Sequence, residues 1–561
     1  MGAVPAPAVR AAALAKAGRV LVYARGRTLH RRTAVRARQG WRPTPQAERE
    51  AGVGGAALGL GRRRHRLTRS LLSGRVAASR ARTGGAVALA RTTGVVALLG
   101  ALAWALTGRG LVNYDTLYAV VWGRDIAHGT VPDYDVSLAP TPHPLATLGG
   151  VVLAPLSSAS DHGVHGETAT TVVLVGAFAA LGALGWVVYR LGAEWFNPAA
   201  GALAAAIVLT RRPVLDFGSR AYVDIPYVAL VLGALLVETR RPRAGAPVLG
   251  LLAVAGLLRP EAWLFSVVYL AWMWRAPRAR SPALVVLALA APVLWALSDL
   301  AVTGDPLHSL LGTRDTAQTL ERITGLGEVP LTAPGRLGEI LREPVLFGAA
   351  GGGILALLWL RGRARLGAAA GVIAIVAFCV LATAGLPILG RYLLLPAAIL
   401  AIFCGAGAFG WACLPRGDSR RRPWAWFGVA TLVLLVVFTP AQVDRVRALR
   451  HALARQDTIQ SDLAALVRIP PAAIRASCAP VTVPNHRPVP LLALFLDTDP
   501  TAIVSAQEER PRRGTWVTPA NPSVAHDYIL DPRDLDKRIA PPPVGMRLAG
   551  ADASWRVFTR C

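Results

Sequence analysis

Apolar residues in this chain fall into long blocks, not at the spacing of an amphipathic helix or an exposed strand. Residues 168–189 (TATTVVLVGAFAALGALGWVVY) and 366–384 (LGAAAGVIAIVAFCVLATA) approach the roughly 20 residues that carry a helix across a bilayer core. Counting similar blocks, the pattern predicts eleven spans, at 86–108, 168–190, 198–212, 223–238, 246–258, 262–274, 281–303, 345–360, 366–385, 391–414 and 424–440. Those of 13 to 16 residues fall below the roughly 17-residue minimum, so either these bounds are tight or the helices extend into polar flanks. The block at 144–158 is apolar but broken by Gly and Pro and about one turn too short, which predicts an interfacial or partly inserted piece. Beyond 440 the pattern changes to Pro-rich breaks and short β-favouring runs such as Leu491–Leu496 and Trp555–Thr559, with a turn or linker at Pro541–Pro543. The expected fold is therefore an all-α polytopic membrane protein of about eleven transmembrane helices, with a small α+β C-terminal domain over 441–561.

Composition agrees and narrows the class. Of 561 residues, 53% are hydrophobic and 17% charged, with a mean hydropathy of +0.43. Soluble domains carry about 25% charged residues, so an ordinary cytosolic enzyme is excluded. The net charge of +28 invites a nucleic-acid reading until its placement is examined. Residues 1–85 hold 18 Arg and one Lys against two Glu, without interleaved aromatics, and read as a basic tail drawn to anionic lipid. Clusters at Arg240–Arg243, Arg275–Arg280, Arg361–Arg365 and Arg416–Arg422 each follow an alternate span. Under the positive-inside rule all four are cytoplasmic only if the N-terminus is too, and only if 144–158 does not cross. Residues 109–167, 304–344 and 441–561 then face outward. A secretory signal peptide is excluded because the first apolar block starts too late. Basic residues are almost all Arg, with Lys only at 16 and 537, which together with abundant Ala and Gly suggests a high-GC bacterial gene and a bacterial inner membrane location. Cys379, Cys404 and Cys413 lie in apolar blocks, and no metal-ligand spacing appears among the five cysteines. Cys478 and Cys561 lie in the polar C-terminal region and can pair if it faces an oxidising compartment; the sequence leaves this open.

Candidate chemistry gathers in the predicted outer segments. The first begins Asn113-Tyr114-Asp115-Thr116-Leu117-Tyr118 and continues through Asp125, Pro132-Asp133-Tyr134-Asp135 and Thr141-Pro142-His143-Pro144-Leu145. Asp115 lies only a few residues past a span, so its carboxylate is expected near the interface, within reach of a lipid-bound reaction centre; the competing role is a helix cap. Asp224 likewise either caps the 223–238 span or lines a site. Arg391 and Arg259, at predicted outer helix ends, suit phosphate oxygens through their planar donor forks or else snorkel to headgroups. Asp305 and His308 open the second outer segment, where Asp-Pro suits a turn. The run Asp161–Glu167 offers metal-ligand residue types, but without helical period to preorganise them.

The order of these elements resembles the membrane-embedded GT-C glycosyltransferases, especially the branch of protein O-mannosyltransferases and lipid A aminoarabinose transferases. The likeness runs over about 90–400. It rests on Asp115 with Tyr118 three residues on, His128-Gly129, and Pro142-His143-Pro144-Leu145. It continues through Arg190–Pro198, Asp224-Ile225-Pro226, Gly256–Glu261 and Gly390-Arg391-Tyr392 leading to Pro396. Thr116 departs from the pattern where a second acidic residue is common, and His143 takes a position usually basic. The resemblance implies sugar transfer from a polyprenyl-phosphate donor to a glycan, lipid or protein hydroxyl on the outer face, with Asp115 as general base. Arg391, Tyr392, Arg259, Glu261, His143 and Asp224 are the implied substrate contacts, with Asp305 and His308 added from the second outer segment. No metal ligand is assigned, and a divalent cation (Mg or Mn) stays open. Membrane lipids are expected partners, nucleic acid is not. Rival classes are a transporter or lipid flippase, and a non-catalytic scaffold for envelope assembly; functional charges at outer helix ends and the absence of a repeat between halves favour the enzyme.

Overall fold

The computed structural model describes residues 86–157, 165–274, 281–468, 473–475, 477–530 and 537–561. The basic tail, the arginine cluster at 275–280 and most of the Asp161–Glu167 run lie outside the described residues. Everything described belongs to one compact unit, Thr83–Cys561.

Each of the eleven apolar blocks is helical. They are α1 (Ala86–Thr107), α4 (His165–Trp195), α5 (Pro198–Thr210), α7 (Asp224–Arg240), α8 (Ala246–Gly256), α9 (Glu261–Met273), α10 (Pro282–Thr303), α13 (Glu343–Trp359), α14 (Arg361–Thr383), α15 (Leu394–Phe409) and α16 (Arg421–Val437). Among the described residues, five helices are long and apolar enough to cross a membrane, or up to eight if each of three bent pairs forms one span. This makes the chain a polytopic membrane protein; the expected eleven crossings are not all of spanning length. Two of the shortest, α8 and α9, have 11 and 13 residues, about 17 and 20 Å of helix. They are consecutive, so the sidedness of every other segment is the same whether or not this pair crosses.

In the bent pairs the partner helices stand at 63° (α5 with α6, Arg212–Ser219), 106° (Leu326–Leu341, which includes α12, Val329–Leu341, with α13) and 43° (α16 with α17, Thr439–Arg468). α15 is the hub, with Leu394–Ala408 buried except at the half-buried Leu400. It meets α13 where Gly352 lies on the backbone of Phe403 and Gly407, an approach that admits no Cβ. The peripheral α10 instead exposes Val286, Leu289, Val293 and Leu297, an apolar face suited to lipid.

The predicted outer segments are more ordered than loops. The first contains α2 (Tyr114–Ala127) and α3 (Pro144–Ser157), crossing where Gly123 and Gly150 bring their backbones together. The block at 144–158 is thus a 14-residue helix packed on α2. The second contains α11 (His308–Thr319) and α12. The buried Asp299 on α10 holds the start of α11, accepting from the backbone N–H of Ser309 at 2.9 Å and from its hydroxyl at 2.8 Å.

The C-terminal segment forms a five-stranded mixed sheet, ordered β2-β1-β3-β5-β4. The strands are β1 (Val481–Val483), β2 (Ile503–Ser505), β3 (Gly514–Pro519), β4 (Arg547–Ala551) and β5 (Trp555–Arg560). β1 runs parallel to both its neighbours, while β3–β5 and β4–β5 are antiparallel. The Trp555–Thr559 run is a strand as expected. Leu491–Leu496 is not: it lies in α18 (Val489–Leu496), because Pro490 sits in the first turn, where its missing N–H has no helical partner to lose, and the Leu/Ala run that follows favours helix. Val481, Val483, Val517 and Trp555 of the sheet share one core with Leu491–Leu494, with Ile459 and Leu463 of α17, and with Leu117, Tyr118, Val121 and Trp122 of α2. Cys478 and Cys561 are disulfide-bonded, across 83 residues.

Candidate functional site

The site is built where the start of α2 is stitched to the turn between α6 and α7. Asn113 caps α2, its side-chain oxygen accepting from Thr116 N–H at 3.1 Å and its amide donating to Arg220 C=O at 2.7 Å. The Thr116 hydroxyl donates to Ala221 C=O at 2.8 Å. The cap is therefore Asn113, not Asp115, and the Thr116 departure is a structural tie. Asp115 is left in the first turn, where the helix dipole favours its negative charge. Its Oδ2 accepts from Arg391 Nη1 at 2.9 Å, with both side chains about one-fifth exposed. Arg391 lies 276 residues further along, in a short 3-10 turn (Gly390–Leu393) that leads into α15.

Arg259, between α8 and α9, forms the second cationic centre. Its Nη2 lies 3.4 Å from Asp224 Oδ1 and 3.0 Å from Glu261 Oε1, all three being buried. Asp224 makes no capping bond for α7 and instead anchors Arg259. Tyr392 joins the two centres: Arg259 Cζ stands 4.2 Å from its ring centroid and Arg391 Cζ 5.7 Å, at cation–π distance. His143 is buried beside them, its ring edge-on to Trp295 at 5.7 Å. Burial first, then the charges of Arg259 and Arg391, hold its pKa well below the usual 6.5. His143 is thus a neutral imidazole near pH 7, and positive charge for an anion must come from the arginines.

Asp115, Arg391, Tyr392, Arg259 and His143 all line one cavity of about 790 Å³. Glu261 and Asp224 stand behind Arg259 and do not line it. Asp305 is a turn residue, accepting from Leu307 N–H at 2.9 Å, and lies outside the cavity. His308 lines a neighbouring cleft of about 240 Å³ that shares Leu138–Thr141, Thr313 and Thr316 with the cavity.

The cavity also contains residues the sequence did not single out. Arg212 of α6, Arg336 of α12, Arg445 of α17, with Arg322, Arg342 and Arg487, bring its arginines to eight, against three carboxylates, Asp115, Asp216 and Glu339. A second pocket of about 440 Å³ shares Arg342, Gln442 and Arg445 with it and runs along Leu203, Ile207, Leu435 and Val446. An arginine-rich chamber thus lies beside an apolar groove between helices, with Arg342, Gln442 and Arg445 on both. Such a chamber can hold an anion by charge-assisted hydrogen bonds while a carboxylate stands within reach. Among the described residues no group of three or more His, Cys, Asp or Glu is placed to hold a metal ion.

No family model matches the chain, and no curated protein matches it. Among solved structures it is similar to ArnT from Cupriavidus metallidurans bound to undecaprenyl phosphate, at 16% sequence identity and a TM-score of 0.48, over 85% of this chain and 98% of that one.

Proposed function

We propose that this chain is a glycosyltransferase of the GT-C kind that moves a sugar from a polyprenyl-phosphate donor to an acceptor hydroxyl on the outer face of a bacterial inner membrane. The observation that carries the reading is the 2.9 Å pairing of Asp115 with Arg391 inside an arginine-rich cavity that adjoins an apolar groove. The order of motifs around these two residues supports it. The donor's lipid chain suits the groove and its phosphate the arginines. When a phosphate draws Arg391 away, Asp115 is released from its ion pair. The carboxylate then accepts the acceptor's proton as the hydroxyl oxygen bonds to the anomeric carbon. The bond from that carbon to the phosphate oxygen breaks, and the electron pair leaves on the lipid phosphate, held by Arg391 and Arg259. Tyr392 keeps the two guanidinium groups in register.

Sidedness rests on the cytoplasmic arginine clusters and on the Cys478–Cys561 disulfide, which persists in oxidising compartments. In this reading 86–440 is the membrane domain and 441–561 an extracytoplasmic one. The transporter reading has one observation in its favour, the three bent helix pairs. All three, however, contribute to the cavity wall, through α6, α12 and α17, so those bends build the site at one end of the bundle.

The test is transfer by the purified protein from radiolabelled polyprenyl-phosphate sugars. Asp115→Asn is expected to lower turnover by about 10²–10⁴-fold, the usual worth of a positioned base. Arg391→Ala is expected to lower it by about 10²–10³-fold. Equal transfer by wild type and Asp115→Asn removes Asp115 as the base, and no transfer with any donor puts the transporter first.

A further inference from the structure

The C-terminal domain does more than cover the site. His486 and Arg487, which follow β1, both line the cavity that holds Asp115 and Arg391. β1 is an interior strand, parallel to β2 on one side and β3 on the other, so residues beyond its C-terminal end emerge where two parallel pairings stop. In open sheets with parallel strands, ligands collect outside such carboxyl ends. The turn itself is fixed: Asn485, 1% exposed, donates to Ile529 C=O at 2.7 Å and accepts from Arg487 N–H at 3.1 Å. His486 stands edge-on to Tyr114 with ring centroids 5.3 Å apart, setting the turn against the residue next to Asp115. The buried Asn485 thus fixes the backbone that brings Arg487 to the cavity.

We propose that Arg487 binds an anionic oxygen, phosphate or carboxylate, on the acceptor, so that the C-terminal domain selects the acceptor. This rests on the glycosyl-transfer reading for the word acceptor. A donor anchored by its lipid reaches the cavity from the membrane helices, where Arg391 and Arg259 stand. The turn after β1 reaches it from the non-membrane side, where an acceptor's polar part extends. Arg487 comes to the cavity from a different part of the chain than Arg391 and Arg259, so each set can meet its own anion.

The experiment uses the full chain in detergent, with two probes. The first is polyprenyl phosphate alone, titrated by native mass spectrometry. The second is inorganic phosphate, titrated by thermal shift into protein saturated with polyprenyl phosphate. Arg487→Ala is expected to leave polyprenyl phosphate affinity within about twofold and to weaken inorganic phosphate at least tenfold, with Arg487→Lys recovering part of the loss. Arg391→Ala is expected to weaken polyprenyl phosphate at least tenfold. Arg556→Ala, at an exposed position on β5, controls for loss of surface charge and is expected to change neither. Unchanged phosphate affinity in Arg487→Ala overturns the proposal, as does an equal loss in Arg556→Ala. Failure of the wild type to bind polyprenyl phosphate counts against the donor reading instead, and phosphate titrated into the unliganded wild type and Arg487→Ala then decides the Arg487 site by the same tenfold criterion.

Discussion

Arg124 is the residue whose loss tests how the C-terminal sheet and α18 are held against α2. It lies on α2 and is 2% exposed. Nη1 donates to Ala493 C=O at 3.1 Å and meets Asp497 Oδ1 at 3.0 Å, while Nη2 donates to Thr498 C=O at 2.9 Å and to Asp125 Oδ1 at 3.2 Å. One guanidinium thus closes the end of α18 against α2. Arg124→Met keeps most of the stem and deletes every polar contact. Breaking a buried pair by removing one partner costs about 3–5 kcal/mol. The Asp497 side chain, 31% exposed, regains water, whereas the Asp125 side chain, 11% exposed, stays enclosed, so the lower end, about 3 kcal/mol, is expected. That corresponds to roughly a hundredfold more frequent opening. Hydrogen exchange in detergent should show it at the amides of α18 and β1, with little change in α15. The Asp125 carboxyl is already pushed up by burial, with Arg124 opposing. Without Arg124 it rises further, and a carboxyl raised in the folded state loses stability as pH climbs through that raised value. The variant should therefore be less impaired at pH 5 than at pH 7, and Arg124→Met/Asp125→Asn should recover part of the loss. If α18 exchanges within threefold of wild type at pH 7, Arg124 is not the latch and the burial argument is wrong.

Other expectations are narrower. His143 is held below 6.5 in the folded state, so the unfolded chain binds its proton first and stability should fall as pH drops below about 6.5; His143→Gln should flatten that fall in a thermal-shift series between pH 7 and 5. Asp299→Ala removes both bonds that hold the start of α11 and should destabilise by about 2–3 kcal/mol, read as faster exchange at Ser309 and the residues after it, with α10 unaffected. Gly150→Leu places a side chain against the Ala119 carbonyl and should push α3 from α2, lowering the melting temperature, whereas Gly149→Ala, with open space around its Cβ, should change it little. Cys478→Ser should leave Cys561 open to a membrane-impermeant maleimide added to intact spheroplasts; labelling only after lysis would reverse the sidedness.

The membrane part was legible because block length reports helices without any knowledge of their partners. The parity of arginine clusters then gave an orientation that places Asp115, Arg259 and Arg391 together at helix ends, and in the fold they line one cavity. Three kinds of feature were not legible. Leu491–Leu496 has no period to separate strand from helix, since a short apolar run fits both. Arg336 and Arg445 sit on α12 and α17, whose polar sequences read as outer loop and domain, and only the bends between helices turn them inward. Arg487 carries no local signal at all, because its place is set by a sheet whose neighbours to β1 come from residues 503–505 and 514–519. Asp305 was open to two readings, a turn and a substrate contact, and its carboxylate serves the backbone of its own turn.

The 30-residue rod of α17 has a mechanical consequence. It leaves α16 at 43°, lends Gln442 to the Thr210 carbonyl on α5, and ends beneath the sheet, where the Trp555 indole donates to Ile459 C=O at 2.9 Å. A membrane helix longer than the bilayer is thick answers by tilting or kinking. Any change in the angle between α16 and α17 is therefore levered over about 45 Å of helix to the sheet.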